Sequence, residues 1–194
     1  MRTAAVAALV VVVVAGSAFS LQAAGLRSTP PASTIAARAA RWLLGYRYVT
    51  SAIEVRGRTL DGRCYHGWFV GRRGRVQRGT LLLLSNGGFV RAAGSKRLLA
   101  VRSFTTAPMN ALEVAGCTHV LGPRIASLAQ FDPSIRLARA WLGGRRVNAL
   151  HFYHLILLVA PKTSRPVGVL LHGIKSRIQL ERVSPALAAR LEAT

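Results

Sequence analysis

Two tripeptides hold most of the reactive side chains: Cys64-Tyr65-His66 and Cys117-Thr118-His119. They contain the only two cysteines of the chain. In an exported protein a pair of thiols oxidises, and the loop closed here is long, so a Cys64–Cys117 disulfide would restrict the unfolded chain by roughly 4 kcal/mol. A second chemistry is open to the same residues. Positions two apart on a strand share a face, so two such strands side by side would offer two sulfurs and two imidazoles to a zinc ion. The spacing is not that of a common zinc module, and exported thiols tend to oxidise, so the disulfide is the expected state and no metal or other cofactor is expected.

Carboxylates are scarce. The six are Glu54, Asp61, Glu113, Asp132, Glu181 and Glu192. Asp61 and Asp132 read as a turn and a helix cap, and Glu192 lies in the tail. A paired-acid hydrolase would therefore draw on Glu54, Glu113 and Glu181. The chain has no G-x-S-x-G elbow, no P-loop and no H-E-x-x-H, so no enzyme is expected. His151 and His154, three apart, fall on opposite faces of the strand expected there, and His172 stands alone after an apolar run.

The 194 residues are 51% hydrophobic and carry 27 Lys+Arg against 6 Asp+Glu, a net charge of +21. Such a field attracts anionic partners, a phospholipid surface or a wall polymer for example, and a compositional habit toward Arg and Ala is the alternative source of the same charge. Arg72-Arg73-Gly74-Arg75 and Arg145-Arg146 are the local clusters. No recognition helix or RNP-like strand accompanies them, which weighs against nucleic acid.

The elements that must position these groups begin after an export signal. Met1-Arg2-Thr3 is a basic start, Ala4 to Ala15 an apolar run, and Ala18-Phe19-Ser20 a cleavage-site pattern. Residues 1–24 are read as a signal peptide or signal anchor, 25–33 as a Pro-rich spacer, and 34–194 as one domain. The expected location is periplasm, cell wall or extracellular space, with anchoring by the N-terminal segment as the variant. Thr34 is expected to cap a helix whose Ile35, Ala39, Trp42 and Leu43 form one stripe, with Gly45 closing it.

From Tyr46 a meander is expected, with hairpin turns at Asp61-Gly62, Gly71 to Gly74, Asn86-Gly87 and Gly94-Ser95, the last followed by a strand over Arg97 to Thr105. Ala111 to Val120 reads as strand or irregular link. Helices are expected from Gly122-Pro123 and from Asp132-Pro133, the second through Ile135, Ala138 and Leu142. Leu150 to Leu171 reads as one long hairpin turning at Pro161 to Pro166, with Leu150, Phe152, Ile156 and Leu158 on one face. Lys175 to Val183 is the last strand, and Ser184-Pro185 starts the last helix. The order argues for an α+β fold, a large curved antiparallel sheet (half-barrel) with helices on its concave side. Strands apolar on both faces need two covers, a helix layer and either a second sheet or a ligand. Leu82, Leu84, Phe152, Ile156, Leu158 and Val169 are the expected ligand-binding residues on that account.

This arrangement resembles the lipoprotein-carrier half-barrel of LolA-like, LppX/LprG-like and RseB-like envelope proteins. The resemblance lies in Trp42-Leu43-Leu44-Gly45-Tyr46 ending the first helix, in the Leu81 to Gly88 segment, and in the strand–turn–strand Leu155 to Leu171. Those families often place an acidic residue at the start of that turn, where this chain has Ala160 or Pro161. The resemblance implies a cavity between sheet and helices for a lipid or a lipoprotein's acyl chain. A module with a self-filled core that docks an anionic partner is the alternative.

Overall fold

A computed structural model of the chain describes residues 30–70, 74–87, 89–92 and 108–193. The signal segment, the Gly94-Ser95 turn and the strand expected over 97–105 lie outside the described residues. Helix α1 (Ala32–Leu44) leads into strands β1 (Tyr48–Val55), β2 (Arg58–Val70), β3 (Val76–Leu84) and β4 (Phe89–Ala92). Helices α2 (Pro108–Val114) and α3 (Thr118–Phe131) follow. Then come β5 (Arg136–Leu142), β6 (Arg145–His151), β7 (Leu155–Val159), β8 (Pro166–Leu171), β9 (Ile174–Glu181) and α4 (Pro185–Glu192). Two meanders join through antiparallel pairing of β1 with β9, giving one open sheet of order β4-β3-β2-β1-β9-β8-β7-β6-β5. The fold is thus an α+β open half-barrel.

Register assigns the faces. Val49 pairs with Cys64 and Cys64 with Leu82, so these share one face, while Tyr48, Tyr65 and Leu81 share the other. The first face carries α1, α2 and α3 and the main core, in which Ile35, Leu43, Leu112, Leu121 and Ile125 meet Leu82, Leu150, Leu157 and Val169. On the opposite face α4 lies against β2, where Leu191 joins Tyr48, Tyr65, Phe69 and Leu81. The second cover over the first meander is therefore a helix, and one of the four described helices sits on the outer face of the sheet. Ser184 caps α4 as expected, its hydroxyl accepting from Leu187 N–H at 3.2 Å.

Several expected boundaries move. Helix α1 starts at Ala32 with Pro31 at its cap, not at Thr34. The first hairpin turns at Arg56-Gly57, both at positive φ, and Asp61-Gly62 lies inside β2. There Gly62 is needed because a Cβ would come within 2.5 Å of Ser51 Oγ. Ala111 to Val120 is helical at both ends. Gly116, at φ 71, stops α2, with Gly116 N–H donating to Glu113 C=O and Cys117 N–H to Leu112 C=O. Pro123 falls inside α3 instead of opening it.

The segment expected as a helix after Asp132-Pro133 is strand β5. Asp132 Oδ1 accepts from Ser134 N–H and Oγ, at 2.8 and 2.6 Å, making a local turn in place of a helix start. Gly143-Gly144, both at positive φ, then close a two-residue hairpin onto β6. The long strand expected from Leu150 to Val159 is broken at 152–154, where Phe152 N–H donates to Leu155 C=O at 2.8 Å. This break reverses the chain and resets the faces of everything after it.

Candidate functional site

Of the six expected ligand-binding residues, Leu82, Leu84, Phe152 and Val169 belong to the main core beneath the helices, each between 0% and 7% exposed. Ile156 and Leu158 do not join them. After the turn at 152–154, Leu150 pairs with Leu157, so Ile156 and Leu158 face the other side. They pack there with Leu142, Val147 and Ala149 in a separate cluster. Assigning one face to Leu150 through Leu158 is thus corrected by that turn: alternation continues only while the strand does.

Two open clefts occur among the described residues, one at α1 and one at β5. One, of about 450 Å³, is lined by Arg38, Arg41, Trp42, Tyr46 and Thr163. The Trp42 and Tyr46 rings stack one helical turn apart, 6.1 Å between centroids. The Arg165 guanidinium lies 5.7 Å from the Trp42 ring and also donates to Leu180 C=O at 2.6 Å. Trp42 Nε1–H donates to Thr163 C=O at 3.1 Å, pinning α1 to the β7–β8 turn. Trp42 is thus half-buried at a cationic rim, whereas the sequence suggests plain core. The missed signal is Arg38, Arg41 and Trp42 at three- and four-residue helical spacing. The second cleft, of about 560 Å³, is lined by Ser134, Arg136, Leu137, His151, Phe152 and Tyr153 beside β5, and Phe152 alone of the six expected residues reaches it.

Cys64 and Cys117 form a disulfide with a Cα–Cα distance of 5.4 Å. It ties β2 to the start of α3. The two flanking histidines follow it: the His66 and His119 rings stack 3.5 Å apart and 8° from parallel. His66 Nδ1 shares a 3.0 Å hydrogen bond with Thr80 Oγ1, and its Nε2 has no hydrogen-bond partner among the described residues. Burial, then the neighbouring His119, Arg78 and Arg47, pushes the His66 pKa down to about 4. His119 is lowered too, by desolvation and then by Arg78. With the sulfurs bonded to each other, the zinc alternative loses its thiolates. No group of three or more metal-ligating side chains able to hold an ion occurs among the described residues.

The three carboxylates considered for acid–base work do not converge. Glu113 is buried in an ion pair with Arg124 on the helix side. Glu181 pairs across from Tyr48 and Glu54 across from Lys175, six positions apart along β1, or about 20 Å at strand rise. A hydrolytic pair needs roughly 5 to 9.5 Å. Glu181 instead accepts from Thr50 Oγ1 at 2.7 Å, and Glu192 from Tyr65 O–H at 2.7 Å. From Pro133 to Leu180 the chain has no Asp or Glu at all. The positive charge of β5 to β8 therefore meets no carboxylate from its own strands.

No protein-family model matches the chain, and no curated protein matches it. Among solved structures it is similar to MucB in complex with MucA(peri), at 18% identity over 84% of this chain and 59% of that one, TM-score 0.36. It is also similar to the Pseudomonas aeruginosa MucA/MucB complex, at 14% identity over 81% and 60%, TM-score 0.38. MucB alone matches at 16% identity over 84% and 62%, TM-score 0.35. The chain spans about three-fifths of the length of these structures.

Proposed function

We propose that this chain is an exported, noncatalytic binding module of the cell envelope, its half-barrel filled by its own helices, that docks an anionic partner. The observation that carries this reading is the closure of the inner face by α1, α2 and α3, which leaves Leu82 and Val169 wholly buried. A carrier would keep such residues free for its cargo. Export is supported by the basic–apolar start of the sequence and by the disulfide. In this reading a signal at 1–24 and a spacer at 25–33 precede the exported domain, read from the sequence as 34–194, whose first helix begins at Ala32. No helix among the described residues is long and apolar enough to cross a membrane. An anionic partner, whether protein, wall polymer or membrane surface, is supported by the +21 charge and the stretch without Asp or Glu from Pro133 to Leu180.

The test has two parts. Native mass spectrometry of the protein purified without detergent is expected to show no bound lipid. Titration with polyglutamate is expected to show binding that weakens steeply as salt shortens the Debye length. A stoichiometric lipid would restore the carrier reading, with acyl chains gripped by Leu82, Leu84, Phe152 and Val169. Salt-independent or absent polyglutamate binding would remove the anionic partner.

A further inference from the structure

We propose that the outer edge of β5 receives an extended acidic segment of a partner protein by strand addition. The proposal rests on the binding-module reading for the charge of the partner, and it adds where and how that partner binds. β5 ends the sheet, and no described strand pairs with its far side. The two-residue turn at Gly143-Gly144 makes Leu142 and Arg145 a hydrogen-bonded pair, and such pairs alternate along the ladder. The N–H and C=O groups of Leu137, Arg139 and Trp141 therefore point away from β6 into the open edge. Seven residues of strand give an edge of about 23 Å.

The side chains along this edge suit a peptide. Trp141 is 69% exposed and Tyr153, at the other end of β5, is 86% exposed. The cleft of about 560 Å³ beside Leu137 and Phe152 has room for a partner side chain. Arg136, Arg139, Arg145 and Arg146 are all exposed on β5 and β6. Backbone groups at a free edge supply affinity without sequence choice, and flanking side chains supply the choice.

Charge decides between occupants. A second copy pairing through β5 would bring arginine against arginine, the usual device by which edge strands repel their own kind. The chain's own segments outside the described residues carry Arg2, Arg27, Arg72, Arg73, Lys96, Arg97 and Arg102 and no carboxylate side chain. They match the edge no better. An acidic strand from another protein satisfies both the backbone groups and the arginines.

The probe is a soluble peptide alternating Glu with Thr and Val, with a Lys-for-Glu twin as control, added to the full mature chain. Residue-resolved amide exchange is expected to slow at Leu137, Arg139 and Trp141 with the acidic peptide and not with its twin. Arg139→Ala removes a charge only, whereas Arg139→Pro also removes an outward donor without touching the ladder to β6. Proline is expected to weaken binding about tenfold beyond alanine. Salt-sensitive binding without slowed exchange on β5, or equal affinity of the two variants, overturns strand addition while leaving an anionic partner in place. Failure to bind both this peptide and polyglutamate removes both readings. Protection of the same amides in the free protein at rising concentration would make the occupant a second copy and overturn the proposal.

Discussion

Strands β1 to β3 are covered on both faces, by the inner helices and by α4, while β5 to β8 have helices on one face only. Charge follows the same division. On the first side Glu181 and Glu192 are held by hydroxyl donors of Thr50 and Tyr65, and Glu113 on the inner helices is held by Arg124. On the second side no carboxylate occurs between Pro133 and Leu180, and Trp141 and Tyr153 are 69% and 86% exposed, more than Trp68 on β2 at 52%. The difference separates where stability is made from where contact with another molecule is left open. Buried, satisfied groups contribute to folding, whereas unpaired backbone and exposed aromatics contribute once a partner covers them.

Breaking the first region should cost most. Replacing Cys64 and Cys117 together by serine is expected to lower unfolding free energy by about 4 kcal/mol, read from denaturant titration. A loss below about 1 kcal/mol would mean that the β2–α3 tie constrains little. Neighbours on β7 then compare the faces directly: Leu157→Ala, in the main core, should cost about 3 kcal/mol, and Leu158→Ala, in the smaller outer cluster, distinctly less. Equal losses would show that the outer cluster is enclosed as well as the inner one.

Acid should act on the first region through His66. His66 is held near pKa 4 against an ordinary 6.5, so the unfolded chain takes up a proton that the folded chain refuses. Its contribution is complete above pH 6.5 and is lost as pH falls from there to about 4. His66→Gln should flatten this part of the pH–stability profile, and an unchanged slope would place the titration elsewhere. Tyr65→Phe removes the hydroxyl that holds Glu192 and should cost about 1 kcal/mol, with α4 amides exchanging faster. The smallest effect belongs to the open edge. Trp141→Ser should leave stability within about 0.5 kcal/mol while weakening any partner that uses β5.

The disulfide, the Asn86-Gly87 turn and the Ser184 cap could be read from residue types because each depends on local chemistry or on a pair with no competitor. Strand β5 could not. Ile135, Ala138 and Leu142 have helical spacing behind an Asp-Pro start, yet pairing with β6 through the glycine hairpin outweighs that preference. The turn at 152–154 was hidden because Phe-Tyr-His contains none of the usual turn formers. With it went the face of every residue on β7, hence Ile156 and Leu158.

Residue types alone determined that the protein is a strand-rich α+β chain with one disulfide, a strong positive charge and few groups for catalysis. Composition, alternation and cysteine count are properties of the chain before it folds. Only the tertiary structure decided that α4 covers the outer face, that His66 stacks on His119, that the interior is filled by α1 to α3, and that β5 is left at the edge. Those outcomes depend on register and strand order between distant segments, and a shift of one residue in pairing exchanges the two faces of a strand.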